Sequence, residues 1–157
     1  MLARALIDDV VLGALSDGAA FRFPLYTFAL YHDHESAALS VCMDTEENSA
    51  LHVPKVNDFN MEYFSDAIQK GNLDAAALWQ ANSGRNLSLG DFKLANLART
   101  SLGSIRPSSE LYVEMIRSVI AAQPRILSLA PDPAKVLFAC SGPQDEVQFV
   151  WSRIQTV

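Results

Sequence analysis

The stretch FPLYTFALYHDHESAALSVCM, residues 23–43, decides the fold of this chain. Residues 23–31 predict a β-strand that is apolar on both faces, and such a strand belongs inside a sheet that is covered on both sides. A polar turn follows at residues 32–36, and a second apolar strand occupies residues 37–43. The stretch is therefore predicted to be an antiparallel β-hairpin with a five-residue connection.

Helices are predicted on both sides of this β-hairpin. Apolar residues repeat at helical spacing from residue 2 to 15, which predicts a first helix. Directly after the β-hairpin, residues 44–47 (DTEE) predict a helix start, because the first two can cap free N–H groups and the glutamates favour the positive end of the helix dipole. Pro54 is expected to keep that helix short, and another helix is predicted over residues 57–71.

The second half of the chain predicts short strands and helices in turn. Its predicted elements are a strand at 75–81, helices at 88–103 and 108–123, a strand at 136–140, and a helix at 145–157 for which a strand is the alternative. Pro124 is expected to end the helix that precedes it. Since isolated strands follow an initial β-hairpin, without regular βαβ units, we expect an α+β fold. We expect one domain over residues 1–157, with a central, largely antiparallel sheet packed against helices.

Composition and charge indicate which molecules this protein binds and in which compartment it is expected. The 157 residues carry a formal net charge of −6, which disfavours nucleic acid and anionic membranes and favours a basic protein partner. No apolar run reaches the roughly 18 residues of a membrane-spanning helix, and Asp8 and Asp9 interrupt any signal-peptide pattern. Cys42 and Cys140 lie in apolar contexts, so we interpret them as reduced core thiols of a cytoplasmic protein, with a single disulfide between them left open.

The densest polar cluster is His32-Asp33-His34-Glu35. On an extended chain His32 and His34 point to the same side, about 6.6–6.8 Å apart. Together with Glu35 they are candidate metal ligands, for zinc in particular, but a metal site needs three or four ligands, which Asp44 or His52 would have to complete. The alternative is a solvated turn at the tip of the β-hairpin.

Signals for nucleophilic catalysis and for nucleotide cofactors are weak. Ser141-Gly142 follows a predicted strand, but it lacks the Gly-x-Ser-x-Gly pattern and is more typical of a plain turn. A pairing of Cys42 with the histidines is disfavoured, because the two strands run in opposite directions. No glycine-rich phosphate loop occurs, so we expect no cofactor. Arg99 and Arg106 are interpreted as surface salt-bridge residues rather than an anion site.

Aromatic and acidic residues offer candidate recognition surfaces. Trp79 and Trp151 are interpreted as core anchors, and an exposed Trp151 would be a candidate interface hot spot. The acidic stretch 44–47 becomes a recognition surface only if further carboxylates lie beside it in space. The candidates for that role are Asp33 with Glu35, or Asp58 with Glu62.

The β-hairpin followed at once by an acidic helix start carries a resemblance. Phe28-Ala29-Leu30-Tyr31, a short acidic turn, a second apolar strand and the DTEE helix start resemble the uncharacterised bacterial family called domain of unknown function 4303. That family is loosely similar to the α+β superfamily that contains the yeast cell-wall-synthesis regulator and many bacterial toxin-immunity proteins. The resemblance implies a small non-enzymatic binding protein of bacterial origin, and it carries no catalytic residue over to this chain.

Three functional hypotheses follow. The first is a cytoplasmic, non-catalytic protein-binding module of immunity or regulatory type, which uses its acidic charge to attract a basic partner. The second is a small metal-binding protein or enzyme that uses His32, His34 and Glu35. The third is a weak homodimer that associates through the aromatic C-terminal segment, as the alternative to a monomer.

Overall fold

A five-stranded mixed sheet with the strand order β3-β2-β1-β4-β5 forms the centre of the molecule. The computed structural model describes residues 2–82 and 84–155. The strands are β1 (Thr27–Asp33), β2 (Ala38–Asp44), β3 (Leu94–Ser101), β4 (Leu137–Cys140) and β5 (Phe149–Trp151). The helices are α1 (Leu2–Ser16), α2 (Glu46–Gln69), α3 (Leu73–Leu78) and α4 (Ser109–Leu127). This architecture confirms the predicted α+β class.

The predicted β-hairpin is confirmed. Strands β1 and β2 pair antiparallel from Thr27 opposite Asp44 to Asp33 opposite Ala38. Nearly every residue of both strands is buried, as expected for strands that are apolar on both faces. The first strand begins later than predicted because Pro24, which lacks a backbone N–H, cannot take part in a regular ladder.

The remaining strands extend the sheet in both directions. β4 runs parallel to β1, whereas β5 pairs antiparallel with β4 and β3 pairs antiparallel with β2. Three of the four pairings are therefore antiparallel, in line with the prediction. The β2–β3 register shifts twice, and Asn96 and Ala98 on β3 adopt positive φ angles of 54° and 50°. The outer strand β3 is thus irregular along its length.

The main hydrophobic core lies between one face of the sheet and the pair α1 and α4. Its largest fully buried side chains include Phe28, Phe138 and Met115. A smaller cluster covers the opposite face, where Leu89 and Phe92 pack against side chains of the three central strands. The sheet is therefore covered on both faces, by α1 and α4 on one and by residues around Leu89 and Phe92 on the other.

Three predicted elements are wrong for physical reasons. Residues 75–81 lie in and after α3, because Ala is a weak strand former and Asn72 caps the helix by accepting from the N–H of Ala75. The predicted helix 88–103 is a single 3-10 turn followed by β3, because pairing with β2 overrides local helical periodicity. The described part of 145–157 forms β5, which was the alternative for that segment.

The two helix ends predicted from proline are also wrong. α2 is 24 residues long and includes Pro54 in its interior, and α4 continues through Pro124 to Leu127. Pro54 removes only the hydrogen bond to the carbonyl of residue 50, and it lies on an exposed part of the helix. As a result, the predicted short helix and the predicted helix 57–71 are one continuous helix.

Candidate functional site

The histidines of the predicted metal cluster are brought together at the end of β1. Their ring centroids lie 4.6 Å apart. His32 is only 2% exposed, and its Nδ1 lies 2.9 Å from the hydroxyl of Tyr112 on α4. His34 is exposed, and its Nε2 donates to the carbonyl of Gly142 at 3.1 Å. Burial and the nearby His34 lower the pKa of His32, which favours the neutral imidazole.

Within the described residues, the other proposed ligands are not assembled with this histidine pair into a metal-binding group. Glu35 is exposed in the turn. Asp44 pairs with Thr27 at the far end of the β-hairpin, about 20 Å from the turn by the rise per residue, and His52 lies on α2. Across residues 2–82 and 84–155, no group of three or more His, Cys, Asp or Glu side chains is placed to hold a metal ion.

The two cysteines are buried in the hydrophobic clusters, and Ser141 forms hydrogen bonds with the backbone of neighbouring segments. Cys42 and Cys140 are both free and buried, and they belong to hydrophobic clusters on opposite faces of the sheet. Burial raises the pKa of Cys42 to about 11 and that of Cys140 to about 12, so both thiols stay protonated near neutral pH. The hydroxyl of Ser141 accepts from the N–H of His32 and donates to the carbonyl of Glu146, which ties β4 to the following loop.

The two candidate arginines differ. Arg106 forms no salt bridge within the described residues, so the salt-bridge interpretation is wrong for it. Arg99 forms a salt bridge with Asp33 at 2.6 Å and donates to the hydroxyl of Tyr31 at 3.2 Å, as the salt-bridge interpretation predicts. This contact joins β3 to the tip of the β-hairpin. The hydroxyl of Ser36, which donates to the carboxylate of Asp33, and then the guanidinium of Arg99 hold the pKa of Asp33 below its usual range.

The tryptophans differ from each other. Trp151 is partly buried and stacks on the core residue Phe138, with ring centroids 5.9 Å apart. Trp79 lies outside both hydrophobic clusters and contacts two aromatic residues of α2 instead. The core interpretation therefore suits Trp151 and is wrong for Trp79.

A helical hairpin, which we define as residues 46–79 (α2, α3 and Trp79, the residue that caps the end of α3), carries an aromatic surface. The ring of Tyr63 stacks on that of Trp79 at 4.7 Å, and Phe59 lies 4.9 Å from Tyr63 and 6.0 Å from Trp79. Phe59 is 52% exposed and Tyr63 is 45% exposed. We call these three side chains the aromatic patch. Such a cluster of half-exposed rings is typical of a binding surface rather than of a core.

Little of the helical hairpin is buried. Along the 24 residues of α2, only Ser49 and Ala67 are classed as buried. Several large apolar side chains of this region are exposed besides those of the aromatic patch: Leu51, Met61, Ile68, Leu73 and Leu78. The helical hairpin therefore contributes far less apolar burial to the fold than α1 and α4 do.

Polar contacts attach the helical hairpin to the rest of the chain. The amide of Asn57 donates to the carbonyl of Asn82 at 2.9 Å and accepts from its N–H at 2.7 Å. The amide of Asn60 donates to the carbonyl of Gln80, and Ser49 accepts from the N–H of Asn86. These bonds are directional, so they fix the angle of α2 without burying much apolar surface.

The helical hairpin also concentrates negative charge. Residues 46–79 contain six acidic and two basic residues, a net charge of −4 within a chain of −6. Asp66 pairs with Lys70 at 2.8 Å and Glu46 with Lys135 at 3.2 Å. Asp58 and Glu62 form no salt bridge within the described residues. We call these two the carboxylate pair.

The acidic stretch 44–47 does not gather with the other predicted carboxylates into one surface. Asp44 is fully buried, where its carboxylate accepts from the amide of Asn48 and from the N–H of Lys93. Asp33 and Glu35 lie at the opposite end of the β-hairpin. Asp58 and Glu62 share α2 with the acidic helix start, but they lie about 18–24 Å further along it by the rise per residue.

A groove of about 510 Å³ lies at the start of α2. Tyr26, Leu51 and Pro131 provide apolar parts of its wall, and Glu46 and Lys135 form their ion pair at its rim. The carboxylates of the first helical turn occupy the positive end of the dipole, so this groove does not favour an anion.

Comparison with known proteins gives no relatives: no family model, no curated protein and no solved structure matches this chain. No helix in the described residues is long and apolar enough to cross a bilayer. The geometry of the helical hairpin therefore provides the main basis for a functional proposal.

Proposed function

We propose that this chain is a cytoplasmic, non-catalytic protein-binding module of immunity or regulatory type, and that the helical hairpin binds a basic protein partner. One observation carries the proposal: the aromatic patch lies outside both hydrophobic clusters and next in sequence to Asp58 and Glu62, whose carboxylates form no salt bridge with any residue that the structure describes. Exposed aromatic side chains surrounded by charge are typical of interface hot spots.

The local charge favours a basic partner over a second copy of this chain. Two copies that met through the helical hairpin would bring together two surfaces of net charge −4. Like charges in an interface cost free energy, whereas a basic partner gains attraction and faster association. The resemblance to the family called domain of unknown function 4303, itself loosely similar to the superfamily with toxin-immunity proteins, also supports a small non-enzymatic binding protein.

A pull-down with charge-reversed baits tests the proposal. The baits are the unaltered chain, the double variant D58K/E62K, and the control D9K/E110K, which makes the same change of net charge at exposed residues of α1 and α4. A lysate of the organism that encodes the chain is applied at low and at moderate salt.

We expect a protein that is captured by the unaltered chain and by the control but lost with D58K/E62K. Its recovery should fall at higher salt, because screening weakens attraction between exposed charges. Equal capture by all three baits, or no capture by any of them, contradicts the proposal. Circular dichroism of each bait establishes that the helices are retained.

The histidine pair supports a second candidate function, metal binding by His32, His34 and Glu35. The supporting observation is that Nε2 of the buried His32 has no hydrogen-bond partner among the described residues, while the ring of His34 lies 4.6 Å away. Metal analysis of protein purified without an affinity tag tests it. Stoichiometric zinc that is lost in H34A would support this function, and a substoichiometric amount would contradict it.

A further inference from the structure

We infer that the aromatic patch and the carboxylate pair together recognise an arginine side chain of the basic partner. This inference rests on the proposed function and adds the residue type that the surface selects. The residues concerned are Phe59, Tyr63 and Trp79 with Asp58 and Glu62.

The rings offer a stacking surface at the protein exterior. Tyr63 and Trp79 are stacked with an interplanar angle of 25°, and Phe59 packs edge-on against Trp79 at 69°. Phe59 and Tyr63 are four residues apart on α2, so they lie on one side of the helix. A guanidinium group binds to the face of such rings through its positive charge and its planar shape.

The carboxylates supply the second half of the recognition. Asp58 and Glu62 each precede a ring of the aromatic patch by one residue, and they are themselves four residues apart. Like charges at this spacing destabilise a helix by a few tenths of a kcal/mol. A guanidinium beside them relieves that repulsion, because its N–H groups can donate to carboxylate oxygens while its plane rests on a ring.

The same chain contains an internal example of this geometry. The guanidinium carbon of Arg85 lies 3.4 Å from the ring centroid of Tyr26. Its N–H groups donate at the same time to the carbonyl of Tyr26 at 2.6 Å and to the hydroxyl of Thr27 at 3.0 Å. Stacking and hydrogen bonding by one arginine are therefore compatible.

Other occupants fit the surface less well. A lysine ammonium is compact and strongly hydrated, so it gains less from the ring faces than arginine does. An apolar segment would cover the rings, but it would also remove water from two carboxylates without giving them partners, which is costly. A second copy meets the repulsion already described.

Two capped peptides of equal charge, octa-arginine and octa-lysine, test the inference. Affinity for each is measured at one fixed ionic strength by calorimetry on the unaltered chain. In the variant W151F, Trp79 is the only tryptophan, so its emission reports binding at the aromatic patch directly.

We expect octa-arginine to bind about fivefold more tightly than octa-lysine or better, and to change the emission of Trp79. The variant Y63L should lose most of this preference, whereas the matched control Y63F, which keeps the ring, should retain it. D58N/E62Q should weaken the binding of both peptides, and D9N/E110Q, which alters exposed residues of α1 and α4, should bind them nearly as the unaltered chain does.

Equal affinities for the two peptides overturn the inference, and so does an arginine preference that survives in Y63L. Either result can be separated from failure of the proposed function. If the partner from the lysate is still lost with D58K/E62K, protein binding by the helical hairpin stands and only arginine selection is rejected. If that partner is captured equally by all baits, the proposed function itself is rejected.

Discussion

The sheet core and the helical hairpin use the same kinds of residue in opposite ways. Phe28 and Phe138 are completely buried between the sheet and its two helices. Phe59 and Tyr63 are about half exposed, although they lie on a longer helix than any in the core. Apolar burial stabilises the first region, and directed hydrogen bonds from asparagine and serine attach the second. The difference indicates that the helical hairpin is the part of the molecule available to a partner.

The largest expected effect is on stability, and it tests the contrast between the sheet core and the helical hairpin. Phe138→Ala should lower the free energy of unfolding by about 3–5 kcal/mol, because it removes a fully buried ring and leaves a cavity. Tyr63→Ala should lower it by less than about 1 kcal/mol, since the ring is already half in water. Urea unfolding of both variants measures the difference. Similar losses in the two variants would mean that the aromatic patch belongs to the core.

A second variant probes the connection between the two regions. Arg85 follows the helical hairpin and donates to carbonyls at the start of β1 and just before β4. Arg85→Ala should lower the free energy of unfolding by about 1–3 kcal/mol, because the partners lose their donor. Arg85→Lys should recover part of this loss, since it keeps the charge but not the planar fork. Equal losses in R85A and R85K would contradict this expectation, because they would show that the charge alone recovers nothing. An R85K variant as stable as the unaltered chain would show that only the charge matters.

A third variant should loosen α2 while leaving the core intact. The hydroxyl of Thr45 caps α2 by accepting from the N–H of Asn48 at 3.0 Å. Thr45→Ala should destabilise the helix by about 1 kcal/mol. We expect faster amide hydrogen exchange along α2 and unchanged exchange in β1 and α4. Parallel acceleration in all three elements would indicate that the helical hairpin and the core unfold as one unit.

The smallest expected effect is confined to acidic pH and to the core. Burial and His34 lower the pKa of His32 from its ordinary 6.5, so the unfolded chain binds this proton more readily than the folded chain. Neutral His32 therefore makes its full contribution to the free energy of unfolding above about pH 6.5. That contribution is lost as the pH falls from there toward the lowered pKa. His32→Gln should flatten the pH dependence of unfolding between pH 7.5 and 5. His52→Gln is the control on α2, and an unchanged slope in H32Q would contradict the assignment.

The β-hairpin and α4 could be predicted from the sequence because their signals are local. Both strands of the β-hairpin are continuous apolar runs, and α4 shows a broad apolar face that becomes buried. β3 could not be predicted, since its residues are helical in pattern and become a strand only by pairing with β2. Pairing partners distant in sequence are invisible to local periodicity.

The candidate site was predictable only in part. Asp58 and Glu62 are visible in the sequence as acidic residues, and the four-residue spacing of Phe59 and Tyr63 is a signal that both rings share one side of a helix. Trp79 joins them only because α3 folds back along α2, whereas the sequence predicts a strand over residues 75–81. The burial of Asp44 also depends on tertiary contacts, since hydrogen bonds from residues 48 and 93 satisfy one of its oxygens.

The irregular outer strand has a consequence for behaviour at high concentration. Left-handed residues at Asn96 and Ala98 and two register shifts interrupt the row of backbone groups along β3. At the opposite edge, β5 is only three residues long. Neither edge offers a flat template on which the strand of another molecule could grow. Crowded solutions of this protein should therefore resist stacking into cross-β fibrils, even though the chain is rich in apolar strands.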